Sequence, residues 1–297
     1  MGISCLYPYP GEMLSSTVAR IVKYTSLSLK QIDRLTGHHL RYRHNGAFCP
    51  ELLEFFNEML EDRISVMDLV YSNTIFPMVM PFASERIFEQ YRQIENWPRT
   101  NKIDKESISI SWRRVRLKER LCFCQDCFNE QIEKYGETYR KLIWQIPLAD
   151  VCEIHSCPLT ETSLPANHPT KLPLPSETNK SMCRQLSVTE HSYMLTKTIS
   201  GLLANRTLTN RNKWCDIIYD EAKNSEIKDL KIHCRNNQLF VTSKTLPAHA
   251  LSYWGHRWLS KNYRQMLARH CFKLGNYWLT YLVLIKAIRH DDEFPYI

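Results

Sequence analysis

The chain of 297 residues is long enough for two modest domains, or one with additions. Its 43% hydrophobic and 24% charged residues are ordinary for a soluble globular protein and allow a sizeable core. Its eight glycines argue against a sheet-rich fold with many tight turns, and its net charge of +8 points to an anionic partner, nucleic acid first, or to a merely soluble basic surface.

The opening residues to Leu14 hold Pro8, Pro10 and Glu12 and form no apolar signal core. After Pro10-Gly11, the residues Leu14, Val18, Ile21 and Val22 recur at helical spacing, and Asp33 to Gly37 reads as a helix end closed by glycine. Lys30 to Gly37 is one candidate for part of a helix-turn-helix. Leu52, Phe56, Met59 and Leu60 predict a further helix, and Ile87, Phe88, Tyr91 and Ile94 another before Trp97-Pro98. These stripes read as core. From about residue 112 to 160, cysteines and basic residues concentrate. From Pro165 to about Glu177, proline, serine and threonine mark a linker or surface loop. Beyond it, Met194, Leu195, Ile199, Leu202 and Leu203 predict a helix. Leu230, Ile232 and Cys234, then Asn236-Asn237, then Leu239 and Val241 predict a short hairpin. Two last helices carry Leu259, Tyr263, Met266 and Leu267, then Tyr277, Tyr281, Leu282, Ile285 and Ile288. The longest mainly apolar run, Trp278 to Ile285, stops at Lys286, too short to span a bilayer. The expectation is a cytoplasmic protein with no membrane partner. In that reducing compartment, eleven cysteines mean metal sooner than disulfides.

Cys124 and Cys127 form a C-x2-C knuckle, and Cys152 with His155 a C-x2-H knuckle. Zinc takes four soft or borderline donors in a tetrahedron, and two knuckles supply two each. The long gap between them leaves room for a helix or hairpin, and Glu130 to Tyr139 is helix-compatible with Gly136 as its break. Cys122 and Cys157 flank the knuckles, and either replaces a ligand if the register shifts. Cys5, Cys49, Cys183, Cys215, Cys234 and Cys271 show no paired spacing and read as core. A closed Cys3His set makes the expected single zinc ion structural rather than catalytic.

The segment Cys124-Gln125-Asp126-Cys127, Tyr135-Gly136-Glu137, Trp144-Gln145-Ile146-Pro147, Cys152-Glu153-Ile154-His155 and Cys157-Pro158-Leu159 resembles the TniQ/TnsD family. So does the opening, where Glu12, Ser16, Ala19 and Arg20 fit an E-x-x-x-S-x-x-A-R pattern after a proline-rich start. Thr74-Ile75-Phe76-Pro77 and Pro81-Phe82 are similar to the T-L-F-P and P-F elements of TnsD-like members. Gln125 stands where the family usually has proline, and Ser156 where it often has glycine. Thr160 to Pro175 lacks the cysteines of a second ribbon, so one zinc is expected. The resemblance implies a non-enzymatic target-selection adaptor of a bacterial transposon. It would couple an RNA-guided CRISPR effector of the Cascade type, with its guide RNA, to the AAA+ ATPase TnsC for transposase recruitment. The alternative it implies is a TnsD-like protein that reads an attachment site in target DNA directly. A homodimer is also open.

The basic run Trp112 to Arg120 leads into the ribbon. Arg113, Arg114, Arg116 and Lys118 are candidates for pairing phosphates or a partner, against the alternative of a solvated face. Lys261, Arg264 and Arg269, in a basic, aromatic-interleaved stretch that runs to Lys273, are candidates in a helix-turn-helix turning at Gly275. No hydrolase elbow, zinc-protease helix or phosphate loop is present, so no enzyme is expected. The predicted architecture is mainly α-helical with a small zinc-ribbon module. It comprises a helical region over 1–110, the ribbon over 111–163, a linker over 164–185 and a C-terminal helical region over 186–297.

Overall fold

The apolar positions at i, i+4 and i+7 draw Leu14, Val18 and Ile21 into the interior along one face of the first helix, α1 (Leu14–Thr25). The structure, a computed structural model, describes residues 6–37, 50–60, 64–79, 117–165, 183–188, 190–204, 231–235, 238–242 and 271–273. Two compact units divide the chain, one of residues 1–77 and 91–206 and the other of residues 78–90 and 207–297.

In the first unit, α1 ends at Ser26, whose φ of +55° is left-handed, and a three-residue turn leads to α2 (Leu29–Thr36). A capping box starts α2. The Ser28 hydroxyl accepts from the Gln31 amide, and the Gln31 side chain accepts from the Ser28 amide at 2.8 Å. Gly37, at φ +74°, closes it with its amide on the Asp33 carbonyl, as the sequence predicts. Only Ile32 of α2 is buried. Next come α3 (Pro50–Met59) and α4 (Val66–Asn73), the latter capped by the Ser65 side chain. α4 lies against both α3 and α7 (Glu190–Ala204). Leu52, Phe55, Phe56, Val70 and Ile199 are all buried, with the Phe55 and Phe56 rings edge to face at 5.2 Å. A short helix, α5 (Phe76–Val79), follows α4.

The middle of the chain forms a small antiparallel sheet in the order β1 (Arg120–Phe123), β2 (Thr160–Pro165), β3 (Arg184–Gln185). Phe123 pairs with Thr160 and Cys122 with Glu161, and a bulge falls between Arg120 and Cys122. Between β1 and β2 run α6 (Gln125–Tyr135) and a 3-10 turn over Ile143–Gln145. α6 stops at Gly136, whose φ of +72° a side chain would strain. The expected helix between the knuckles is there, but it begins directly at the first knuckle.

The second unit holds an antiparallel meander of β4 (Lys231–Arg235), β5 (Gln238–Thr242) and β6 (Cys271–Lys273). Arg235 pairs with Gln238 across the two-residue connection Asn236-Asn237, the predicted hairpin. Lys273, expected in a basic helical stretch, lies instead in a strand, because Phe272 and its neighbours pair with β5. The predicted helices around Phe88, Leu259 and Tyr281, and the linker after Pro165, lie outside the described residues. The fold is mainly helical with small sheets, and no helix among the described residues is long and apolar enough to cross a membrane.

Candidate metal centre

Two tight turns bring four donors together. Cys124 is the N-cap of α6 and Cys127 lies in its first turn. The partial positive charge of a helix N-terminus favours thiolates there. Hydrogen bonds from Cys127 and Cys152 hold the Cys124 thiol well below its usual pKa. The second knuckle is a closed loop, in which the Cys152 amide donates to the Cys157 carbonyl at 2.8 Å and the Ser156 amide to the Cys152 carbonyl at 2.9 Å. The His155 amide donates to the Cys152 sulfur at 3.4 Å. Ser156 takes a φ of +51°, a backbone that glycine adopts most easily.

His155 Nδ1 lies 3.5 Å from Cys124 Sγ, 3.4 Å from Cys127 Sγ and 3.6 Å from Cys152 Sγ, and Cys127 Sγ lies 3.5 Å from Cys152 Sγ. All four donor atoms fall within 4.8 Å of one another. Metal–sulfur bonds near 2.3 Å give tetrahedral edges of about 3.7 Å, slightly less to nitrogen, so the donor set fits a four-coordinate ion. All three cysteines are buried.

The far ring nitrogen, His155 Nε2, meets Glu130 Oε1 at 2.9 Å. That contact places the proton on Nε2 and leaves the Nδ1 lone pair for the ion. Glu130 was not singled out from sequence, although it lies three residues after Cys127, one helical turn along the same face. Glu130→Gln should weaken metal affinity about 10-fold, the low end for an outer carboxylate because Glu130 is exposed. Competition against a chromogenic chelator measures this, and unchanged affinity would remove Glu130 from the centre. Beside the second knuckle, Lys141 pairs with Glu153 at 2.7 Å. Burial opposes its charge, but Glu153 and the Cys127 and Cys152 sulfurs outweigh burial and raise its pKa. Three thiolates around a dication would leave one negative charge, which Lys141 would offset.

The motif between the knuckles forms the wall behind the centre. Trp144 is fully buried, edge to face with Phe128 at 5.7 Å, and Phe128 stacks on Phe123 at 4.6 Å. Gln145 acts as a side-chain strand, donating to the Cys122 carbonyl at 2.7 Å and accepting from the Cys122 amide.

The opening motif and the Tyr135-Gly136-Glu137 motif meet in a buried ionic cluster. Arg20 reaches Glu12 at 2.8 Å and Glu137 at 2.7 Å, with its guanidinium 4.0 Å above the Tyr9 ring. Ser16 donates to Glu12 at 2.7 Å, and the Tyr9 and Tyr24 hydroxyls donate to Glu137 at 2.9 and 2.7 Å. Asn73, just before the Thr74-Ile75-Phe76-Pro77 element, donates to the carbonyls of Tyr9 and Glu12. Three motifs that sequence reading could only place in order therefore build one polar core next to the metal centre.

Of the other candidates, Lys118 needs correction. Its ammonium faces inward, 2.9 Å from Asp150 Oδ1 and 2.6 Å from the Ala149 carbonyl, so it ties down the loop before the second knuckle and is not part of an open basic surface. Arg113, Arg114, Arg116, Lys261, Arg264 and Arg269 lie outside the described residues. Cys122 is buried in β1, where burial lifts its thiol to about 11, and it stands outside the donor set. Cys157 lies 3.5 Å from Cys124 but outside the mutually close four. Cys183, read as core, is only half-buried, and Cys5, Cys49 and Cys215 are outside the described residues.

Transposon Tn7 transposition protein TnsD of Escherichia coli is 26% identical to this chain over 152 residues, which are 50% of this chain and 29% of TnsD. The TniQ family model matches residues 5–159, a stretch that holds the opening motif, the ionic cluster and both knuckles. On that match over more than half of its length, the chain belongs to the TniQ family.

Proposed function

We propose that this protein selects target sites for a bacterial transposon, acting by binding rather than by catalysis. It couples an RNA-guided effector of the Cascade type to the AAA+ ATPase TnsC, which recruits the transposase. The observation that carries this reading is the family match over residues 5–159, whose motif residues build the ionic cluster and the metal centre. The ion we assign to Cys124, Cys127, Cys152 and His155 is a single structural zinc, in keeping with three thiolates and one imidazole in a closed tetrahedron. The similarity to TnsD, a transposition protein of Tn7, favours a second reading, in which the protein reads an attachment site in DNA itself.

The two readings separate on one experiment. The purified protein is titrated with labelled duplex DNA at low and moderate salt, and in parallel with effector–guide RNA complex and TnsC. Weak, unselective DNA binding that collapses with salt, together with stable capture by the effector complex and TnsC, supports the adaptor. Sequence-selective binding that survives moderate salt supports direct reading. A protein that binds none of these would overturn both.

A further inference from the structure

We propose that Cys157 and Asp126 form a second site for a thiophilic divalent cation, completed by the sulfur of Cys124, which would bridge this ion to the first. The inference rests on the reading of Cys124, Cys127, Cys152 and His155 as the first metal site. Cys157 Sγ stands 3.5 Å from Cys124 Sγ and 3.9 Å from Asp126 Oδ2, and the three donor atoms lie within 4.8 Å of one another. The sulfur–sulfur separation is close to the edge of about 3.7 Å expected for two thiolates around a tetrahedral zinc, and the carboxylate oxygen stands a few tenths of an ångström beyond the shorter sulfur–oxygen edge. Cys157 is not among the four mutually close donors, so it caps the Cys124 vertex rather than competing for the first position.

Both flanking donors are held in place. The Cys157 carbonyl accepts from the Cys152 amide, fixing its backbone to the second knuckle, and Asp126 lies in the first turn of α6. A thiolate keeps lone pairs after binding one ion, so Cys124 has a pair to share. The first ion with three thiolates is an anion, and Asp126 adds a further negative charge on the same side, so a second dication is attracted there. Cys124 is buried, but Cys157 is half-exposed and Asp126 exposed, which gives the ion a path in from solvent. Binding would release the Cys157 proton to solvent. Three protein donors leave one position for water, so this ion is held more weakly than the first and is the first lost to a chelator.

The test uses the full chain, kept anaerobic with a phosphine reductant, titrated with zinc by calorimetry, and with cadmium-113 followed by NMR. The expected result is two equivalents, one tight and one weaker. Cys157→Ala keeps the tight equivalent and loses the weak one, and Asp126→Asn weakens the second by at least the roughly 10-fold to 100-fold that loss of an outer-shell partner costs. Two cadmium resonances, from a three-sulfur, one-nitrogen site and from a two-sulfur, oxygen-bearing site, accompany them. A single tight equivalent in the unaltered protein overturns the second site and leaves the first intact. Loss of the tight equivalent in Cys157→Ala also overturns it, because Cys157 would then belong to the first ion. Absence of any tight equivalent overturns the first site and the second with it.

Discussion

Stripping the ion, by chelation or through Cys127→Ser, should unfold residues 117–165 rather than leave a folded apo-protein. The local elements are too short to persist alone. β1 has four residues and α6 eleven, and an isolated helix of that length is marginal in water. Without an ion, the three cysteine sulfurs remain buried against one another and against His155. Apparent binding energies of structural zinc in small folded modules are about 10–16 kcal/mol, as large as the whole stability of an ordinary domain, about 5–15 kcal/mol. Hydrogen exchange across β1 and α6, together with metal content by elemental analysis, measures this. The expected outcome is loss of amide protection in both elements, with Cys127→Ser protein insoluble or metal-free and unprotected. Soluble, metal-free Cys127→Ser protein with full protection would show that packing alone holds the ribbon. His155→Ala should be milder, because the histidine is the more exposed donor.

The metal centre is the part of this protein that a sequence states most openly. Knuckle chemistry needs two donors within one tight turn, so Cys124 with Cys127, and Cys152 with His155, announce themselves at fixed spacing. Spacing alone left Cys122 and Cys157 as substitutes. Packing decides between them, since Cys122 is buried within β1 while Cys157 touches Cys124 from outside. The hairpin over 231–242 was legible from period-two alternation around Asn236-Asn237. The ionic cluster was not, because its members are distant in the chain. Glu137 lies 117 residues from Arg20, and nothing in either residue type distinguishes a buried pair from a solvated one. Lys118 misled for the same reason. It lies within a basic run that reads as a charged face, and its partner Asp150 lies far downstream.

Replacing Arg20 with Met should cost about 3–5 kcal/mol, the range for removing one partner of a buried pair. Glu12 is fully buried, Glu137 is 8% exposed, and Arg20 is the cation between them. Met retains an apolar stem under Tyr9 but removes the guanidinium that both carboxylates meet, leaving Glu12 only the buried charge of Arg140 nearby. Lysine at the same position supplies one charge but not the fork that meets both acids, so Arg20→Lys should fall between. The deficit should also depend on pH. Burial already lifts Glu12 from an ordinary 4.5 to about 6, against the pull of Arg20, so its ionisation costs stability as pH rises through that window. Glu137 is the opposite case. Burial raises it, but hydrogen bonds from Arg20, Tyr24 and Tyr9 prevail and leave it below its ordinary value, so its contribution is present above that value and is lost as pH falls. Without Arg20 both carboxyls move up and can be neutralised by protonation. The deficit of Arg20→Met measured by urea unfolding should therefore be largest near pH 8 and shrink towards pH 5. Adding Glu137→Gln should restore part of the lost stability at pH 8, since that carboxylate then needs no counter-charge, whereas Glu12 still faces the buried guanidinium of Arg140. A deficit under about 1 kcal/mol at pH 8 would place the pair among weakly coupled surface ions. A deficit unchanged between pH 5 and 8 would mean that Arg20 acts through its packing on Tyr9 rather than through the two acids.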